Sequence, residues 1–359
     1  MSQNLCPICG NTVDWVQMPP YRIGDDGQYE PLVRGERDSE ASWRDRLGTA
    51  HRPCGDPGRQ GTHWLPYDYP DHTPVTIGLV GDSGAGKTHL LAAMIHRLCS
   101  NDPVLGRLGL RVGPLDLRLH QRYMGSVVRP LIHDRRRLMG TPADRPVAFC
   151  AALGVTNAHG RRFALTFFDL AGERLTRPDD DEVRFYATAH AMIFVVDAEA
   201  LPGRFTPPAT GDAAFDVALR RLEARRNAWP RPRDVADLNP IAAAVVVAKA
   251  DLVRFEDRLV SDWLALGSSE EEIQLSTVEQ ESRDVYAYLT RRRATPWLRP
   301  AQECARSTLH FASATNGPAR DNAYHGAFRQ LRVLKPLLSV FAMTGILDEQ
   351  LLRPAEEAS

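Results

Sequence analysis

The sequence has few cysteines, no long apolar run and almost no net charge. Its 359 residues include 6 cysteines, and 44 basic residues against 45 acidic ones give a formal net charge of -1. The longest apolar run, Ile241 to Ala248, is far too short to span a bilayer, and residues 1–10 lack the basic start and apolar centre of a secretion signal. The balanced charge argues against a general nucleic-acid or membrane-surface role. We therefore expect a globular protein of the reducing cytoplasm, with neither a disulfide framework nor a membrane span.

Strand-like and helix-like segments alternate from Pro74 onward, whereas residues 1–70 have little periodicity. This alternation predicts an α/β fold with a mostly parallel sheet, a single antiparallel edge strand and helices on both faces. The antiparallel strand follows from two apolar runs that flank a turn containing Asn157 and Gly160. The predicted strands lie at 75–80, 146–155, 162–170, 190–198, 241–249 and 307–313, and the predicted helices at 87–99, 116–139, 212–229 and 324–347.

The stretch GDSGAGKT, from Gly81 to Thr88, fits the pattern G-x-x-x-x-G-K-[ST] and lies between a predicted strand and a predicted helix. Glycines let the backbone turn tightly, so that successive N–H groups and the helix dipole face phosphate oxygens. Lys87 supplies a charge to the terminal phosphates, the Thr88 hydroxyl suits Mg²⁺, and the His89 N–H is placed for the α-phosphate. The predicted nucleotide-binding residues here are Gly81, Asp82, Ser83, Gly84, Ala85, Gly86, Lys87, Thr88 and His89.

Three later stretches address the choice between GTP and ATP. FFDLAGER places Asp169 at a strand end and Gly172 three residues later, which resembles the D-x-x-G switch segment of Ras-like GTPases. VVVAKAD resembles their guanine signature N-K-x-D, with Lys249 and Asp251 in the matching positions, and FASATNG resembles their S-A loop. The last motif contains Ser313, Ala314 and Thr315.

The order of these motifs, over about Val75 to Leu347, resembles the translation-factor-related (TRAFAC), Ras-like class of P-loop GTPases. The resemblance implies that Lys249 lies along the base, that Asp251 accepts hydrogen bonds from guanine and that the Ala314 N–H meets the guanine carbonyl oxygen. It also implies that Asp169 holds Mg²⁺ through water and that the Gly172 N–H senses the γ-phosphate.

Three positions depart from the family pattern or match it only weakly. Ala248 replaces the usual Asn, which predicts weaker guanine binding. Glu173 replaces the Gln that orients the attacking water in many members, so it is either a slow catalytic residue or a helix-terminal acid near two arginines. Thr141 is the best candidate for the switch I threonine that binds Mg²⁺, although a loop role is equally open.

The predicted switch I region, residues 100–146, is longer than in a minimal Ras-like domain. It contains a predicted amphipathic helix over 116–139 that Pro130 bends. The arginine run Arg135–Arg137 follows near the end of this helix. Such a run is usually a solvated face, and the alternatives are a docking surface for an acidic partner or an arginine that reaches the nucleotide in cis.

Two short segments near the N-terminus, LCPICG and HRPCGD, resemble each other and predict a metal site. Cys6, Cys9, His51 and Cys54 would form a closed tetrahedral zinc set, with His63 as a substitute for His51. The alternatives are unrelated side chains or a reactive CxxC pair. The pattern resembles a zinc ribbon with a long insertion, which predicts a zinc module at 1–70, a GTPase domain at 71–348 and a tail at 349–359.

A zinc ribbon in front of a GTPase domain resembles the bacterial double-GTPase family of conflict and signalling systems. We therefore expect a Mg²⁺-dependent GTPase that works as a switch and binds a protein partner through its switch segments or zinc module. A P-loop ATPase and a nucleotide-binding scaffold with negligible turnover are the alternatives.

Overall fold

The computed structural model describes residues 5–57, 62–100, 102–139, 148–169, 186, 188–203, 207, 211–227, 238–266 and 274–348, without the side chains of 148–151 and 225–227. The strands are β1 (Tyr21–Ile23), β2 (Tyr29–Pro31), β3 (His51–Pro53), β4 (Trp64–Pro66), β5 (Thr73–Val80), β6 (Arg111–Pro114), β7 (Ala148–Thr156), β8 (Arg162–Asp169), β9 (Ala191–Asp197), β10 (Asn239–Ala248), β11 (Cys304–Phe311), β12 (Ala319–Arg320) and β13 (Ala323–Tyr324).

The helices are α1 (Glu40–Leu47), α2 (Lys87–Cys99), α3 (Pro103–Arg107), α4 (Leu117–Tyr123), α5 (Arg129–Ile132), α6 (Ala213–Asn227), α7 (Arg258–Ala265), α8 (Leu275–Arg291), α9 (Arg299–Glu303) and α10 (Leu334–Met343). Short 3₁₀ turns lie at Tyr69–Asp71, Ala198–Ala200, Ala250–Leu252 and Thr295–Leu298, and a π-helical turn at Met124–Val128 joins α4 to α5.

The large sheet has seven strands in the order β11-β10-β9-β5-β8-β7-β6. All its strands run in one direction except β7, which pairs antiparallel with both neighbours. The predicted α/β fold with one antiparallel strand is therefore confirmed. The position of that strand was predicted wrongly, because β6, which the sequence pattern did not indicate, covers the edge beside β7.

Apolar strands and two helical layers form the core on both faces of the sheet. Strand β10 is buried along almost its whole length, as expected for a central parallel strand. Residues of α2, α5 and α10 pack against one face, and residues of α6, α7 and α8 pack against the other. Both layers hold the carboxyl ends of β5, β9, β10 and β11 at one edge, where ligands of open α/β sheets bind.

Two predicted helices are shorter than expected. The helix predicted over 324–347 covers only 334–343, because Gly326 and Arg332 have left-handed backbone conformations and Leu331 pairs with Ser313 through backbone hydrogen bonds. The helix predicted over 116–139 ends at Ile132 and contains the π-helical turn.

The N-terminal region forms its own small sheet, in the order β2-β1-β3-β4. Its strands are only three residues long, which is too short for a periodicity signal to appear in the sequence. A separate cluster of buried residues joins it to the large sheet, since Trp15 and Tyr69 lie in the same cluster as Ala164 of β8. The described helices include none with the length and apolarity that a bilayer crossing requires.

Candidate functional site

The loop between β5 and α2 needs glycine at two points for different reasons. A Cβ on Gly81 would lie 2.4 Å from the Val195 carbonyl oxygen of β9, so only glycine lets the two chains approach this closely. Gly86 has φ of 95° and is the N-cap of α2, and this left-handed conformation strongly favours glycine. The loop therefore turns directly from the sheet into the amino end of a helix, where backbone N–H groups face outward.

Lys87 is buried at the base of this loop. Its Nζ donates hydrogen bonds to the carbonyl oxygens of Gly81, at 2.6 Å, and Asp82, at 2.8 Å. Burial lowers the pKa of its ammonium group, and the charges of Asp169, Asp212 and Asp82 oppose that shift only in part. An incoming anion would add to this charge compensation.

Thr88 and Asp169 bring two oxygen ligands together at the start of α2 and the end of β8. The Thr88 hydroxyl donates to a carboxylate oxygen of Asp169 at 2.6 Å, and Asp169 is only 3% exposed. Mg²⁺ takes oxygen ligands and usually keeps several waters alongside one or two carboxylates and substrate phosphates. A hydroxyl and a carboxylate in contact beside a phosphate-binding loop fit such an ion.

Asp212 supports the same loop and was not predicted as a site residue. One of its carboxylate oxygens accepts from the Asp82 N–H at 3.1 Å, and the other caps α6 by accepting from the N–H groups of Ala214 and Phe215. Burial, with the charge of Asp82 adding to it, raises the pKa of Asp212 to about 6. The sequence signal was an Asp ahead of a helix, which indicates an N-cap but not its contact with the loop.

The Lys249 side chain extends from the end of β10 to the loop between β5 and α2. Its backbone is left-handed, with φ of 54°, and its Cε lies 3.9 Å from where a Cβ on Gly86 would be. Its Nζ contacts the carboxylates of Asp197 at 2.7 Å and Glu199 at 3.0 Å. Burial alone would lower the pKa of Lys249, but the hydrogen bonds that its ammonium group donates to these two carboxylates outweigh burial and raise the pKa.

Asp251 is a buried carboxylate, 6% exposed. It lines a cavity that residues of the loop between β5 and α2 also line. Burial raises its pKa, and hydrogen bonding from Ser313 and the charge of Arg254 oppose that rise. Its Oδ2 has no hydrogen-bond partner within the part of the chain that the structure describes. A buried carboxylate oxygen without a partner is unfavourable unless a ligand donates to it.

The loop after β11 is held rigidly beside Asp251. The Ser313 hydroxyl oxygen accepts from the N–H groups of Thr315, at 3.3 Å, and Asn316, at 2.9 Å. The Ser313 backbone exchanges two hydrogen bonds with Leu331. These contacts fix the path of Ala314, which lines the cavity.

One cavity, of about 360 Å³, joins these elements. This volume is in the usual range of small-molecule sites, about 300–1,000 Å³. The residues that line it are Ser83, Gly84, Gly86, Lys87, Thr88, His89, Leu90, Arg137, Leu138, Met139, Glu199, Ala248, Lys249, Asp251, Leu252, Ala312, Ala314, Thr315, Gly317, Pro318, Ala319 and Tyr324. The fold thus brings together three of the sequence motifs that lie far apart along the chain.

Three predicted site residues lie outside the described residues: Thr141, Gly172 and Glu173. The structure therefore describes the loop between β5 and α2, the ends of β10 and β11, and Asp169.

The N-terminal cysteines form a cluster with a different histidine from the one first expected. Cys6, Cys9, Cys54 and His63 each offer a ligand atom, and these four atoms all lie within 4.8 Å of one another. His51 points elsewhere, since its Nε2 pairs with the Asp116 carboxylate at 2.9 Å. This corrects the predicted ligand set, in which His51 came first and His63 was the substitute.

The comparisons with known proteins bear on the segment that contains Asp169 and Asp251. Residues 141–292 match the Double-GTPase 2 family model. The match confirms the resemblance to bacterial double GTPases, and the Double-GTPase 2 family implies that the chain binds GTP. The matched segment does not include the phosphate-binding loop or the Ser313 loop, which lie on either side of it and meet it in the cavity. A search of curated proteins gave no match.

Proposed function

We propose that this protein is a Mg²⁺-dependent GTPase that hydrolyses GTP to GDP and phosphate and works as a nucleotide-controlled switch. The observation that carries the proposal is the buried Asp251 oxygen, without a partner among the described residues, in the cavity that the phosphate-binding loop also lines. Guanine offers two adjacent N–H donors to such a carboxylate, whereas adenine presents an acceptor at the ring nitrogen. A site built to accept hydrogen bonds discriminates strongly against a base that cannot donate them.

Each of the site residues discussed above has a role in this proposal. Asp251 accepts from the guanine ring and amino nitrogens, and the Ala314 N–H donates to the guanine carbonyl oxygen. The Lys249 side chain lies along the base, since its aliphatic part runs beside Gly86 and its ammonium is held by Asp197 and Glu199. Lys87 then compensates the charge of the β- and γ-phosphates.

Thr88 and Asp169 are the residues that would hold Mg²⁺, which when bound neutralises phosphate charge. Their two oxygens, 2.6 Å apart, are hard ligands that lie close enough for one ion to take the Thr88 hydroxyl directly and the Asp169 carboxylate through a bound water. Thr141, Gly172 and Glu173 keep the roles that the family resemblance implies: a switch I ligand, a γ-phosphate sensor and a water-orienting residue.

A switch role in bacterial signalling or conflict is the finer part of the proposal. The double-GTPase match supports it. In switches of this kind, the γ-phosphate orders segments that are released after hydrolysis, and a protein partner reads the difference.

Phosphate release from GTP should depend on Mg²⁺ and stop with Lys87→Ala. The measurement is phosphate released by purified protein, with ATP as the parallel substrate. Release from GTP alone supports the GTPase. Tight GTP binding without release would favour the scaffold, and preferential release from ATP would favour the ATPase.

We also propose that the N-terminal cluster is a structural zinc site and that residues 1–70 form its module. Zinc with Zn–S bonds of about 2.3 Å and Zn–N bonds of about 2.0–2.1 Å places tetrahedral sulfurs about 3.8 Å apart and a sulfur and nitrogen about 3.6 Å apart. Here the Cys9 and Cys54 sulfurs are 3.9 Å apart, and the Cys54 sulfur lies 3.5 Å from His63 Nδ1. These two separations match a zinc tetrahedron, and the Cys6 sulfur, 3.9 Å from His63 Nδ1, lies slightly farther out, so the cluster is compatible with zinc.

The zinc proposal predicts one zinc per chain and different zinc contents after substitution of His63 and of His51. His63→Ala should lower zinc content and the midpoint of thermal unfolding, because it removes one of four ligands. His51→Ala should keep the zinc, since His51 pairs with Asp116 instead. Metal analysis of both purified variants, with Cys99→Ser as a thiol control outside the cluster, checks the prediction. Equal zinc loss in both histidine variants, or no zinc in the wild type, would contradict it.

A further inference from the structure

The last residue of the arginine run and the two residues after it lie in the wall of the cavity described above. Arg137, Leu138 and Met139 line it together with the amino end of α2 and the loop after β11. The sequence left three roles open for this run, and none of the residues given a role above belongs to it.

Two sets of contacts hold this segment in place. The Leu138 N–H donates to His89 Nε2 at 3.2 Å. Burial, with the charges of Arg137 and Lys249 adding to it, lowers the pKa of His89 to about 4. His89 is therefore neutral near pH 7 and can accept through this nitrogen.

On the other side, the segment pairs with the short hairpin formed by β12 and β13. The Arg137 N–H donates to the Asn322 carbonyl at 2.9 Å, and the Tyr324 N–H donates to the Arg135 carbonyl at 2.8 Å. The ring of Tyr324 also meets the His89 imidazole edge to face, with centroids 6.0 Å apart. The arginine segment thus contacts both α2 and the β12–β13 hairpin, which lie on two sides of the cavity.

In the part of the chain that the structure describes, no carboxylate pairs with the Arg137 guanidinium. Lys249 is compensated by two carboxylates, and His89 is neutral. A nucleoside diphosphate brings several negative charges into this space, and guanidinium groups pair well with phosphate oxygens.

The position of Arg137 along the sheet edge indicates which part of the nucleotide it meets. Asp169, one of the proposed Mg²⁺-binding residues, ends β8 on one side of β5, whereas the hairpin that pairs with Arg137 follows β11 on the other side. Asp169 does not line the cavity in which Arg137 lies, although Lys87 and Thr88 do, and Thr88 contacts Asp169. The γ-phosphate, which would lie beside Mg²⁺, is therefore expected toward Asp169 and farther from Arg137 than the α- and β-phosphates.

We propose that Arg137 is a nucleotide-binding residue whose guanidinium donates to the α- and β-phosphates of a bound guanine nucleotide. This inference rests on the proposed function. It assigns Arg137 to affinity for GDP and GTP alike and not to hydrolysis of the γ-phosphate.

The test measures GDP and GTP affinity by calorimetry for the wild type, Arg137→Ala and Arg136→Ala. Arg136 is the matched control, because its side chain is exposed and does not line the cavity. Arg137→Ala should weaken both nucleotides about fivefold to tenfold, as expected for loss of a charge-assisted hydrogen bond at a solvent-exposed side chain. Arg136→Ala should change neither by more than about twofold. High salt should narrow the difference between wild type and Arg137→Ala, because it screens an exposed charge.

Unchanged affinity for both nucleotides in Arg137→Ala, or a loss for GTP alone, would overturn this inference while the wild-type GTP affinity still supported the proposed function. A wild-type protein that bound no guanine nucleotide would overturn both.

Discussion

Replacing Lys87 by methionine should lower the affinity for GTP at least about 100-fold. The Lys87 ammonium is the buried cation of the phosphate-binding loop, and hydrogen bonds to charged groups contribute about 1.5–3 kcal/mol each. Loss of two such bonds to the β- and γ-phosphates gives this factor, since about 1.4 kcal/mol corresponds to tenfold. Methionine keeps most of the buried aliphatic chain, so the variant tests the charge and not the volume. Calorimetry with GTP and Mg²⁺ is the measurement.

The same variant should not destabilise the nucleotide-free protein. Burial lowers the pKa of Lys87, so the charged form is less stable in the folded chain than in the unfolded chain, and its removal relieves that penalty below the folded pKa. The thermal midpoint without nucleotide should stay the same or rise, while the stabilisation by GTP disappears. GTP binding within about threefold of the wild type would show that the loop does not hold phosphates.

Replacing Asp251 by asparagine should exchange guanine for xanthine preference. Asparagine keeps the size of the side chain but turns one accepting oxygen into a donating amide, which opposes the guanine amino group and suits the xanthine carbonyl. We expect GTP affinity to fall about 100-fold, because two charge-assisted hydrogen bonds are lost or reversed, and xanthosine triphosphate to become the preferred ligand. Competition binding with both nucleotides checks this.

Asp262→Asn is the control for the loss of a carboxylate, because Asp262 lies on α7 with a side chain 65% exposed and pairs only loosely with Arg258. Its nucleotide preference should match the wild type. If Asp251→Asn still preferred GTP, the assignment of Asp251 to the base would be contradicted. This conclusion does not depend on how Lys87→Met changes the affinity for GTP.

The fold was predictable where sequence signals are local and strong. Buried strands such as β5 and β10 are mostly apolar, and the loop from Gly81 to Thr88 is a contiguous motif whose strand and helix neighbours are equally clear. The confirmed α/β sheet follows from these signals. The candidate site was predicted from the order of the motifs along the chain. The structure shows why that order is informative, because the carboxyl ends of β5, β10 and β11 lie at one edge of the sheet.

The features that were not predicted correctly depend on contacts between residues far apart in the chain, which the spacing of residues in the sequence does not determine. His51 and His63 are equally good zinc ligands by residue type, and only the fold pairs His51 with Asp116. The helix predicted from residue 324 was wrong over its first ten residues, because backbone pairing between Leu331 and Ser313 outweighs helical spacing. Asp212 was predicted only as the start of a helix, and its hydrogen bond to the Asp82 N–H, 130 residues away along the chain, has no local sequence signal.

Direct competition between GTP and ATP for the wild-type protein in Mg²⁺ tests the central claim most directly. The account predicts that GTP displaces bound nucleotide at concentrations at least about 100 times lower than ATP does, because adenine has a ring acceptor and no amino group at the two positions through which guanine would donate to Asp251. Equal displacement by the two nucleotides, or preferential displacement by ATP, would contradict it.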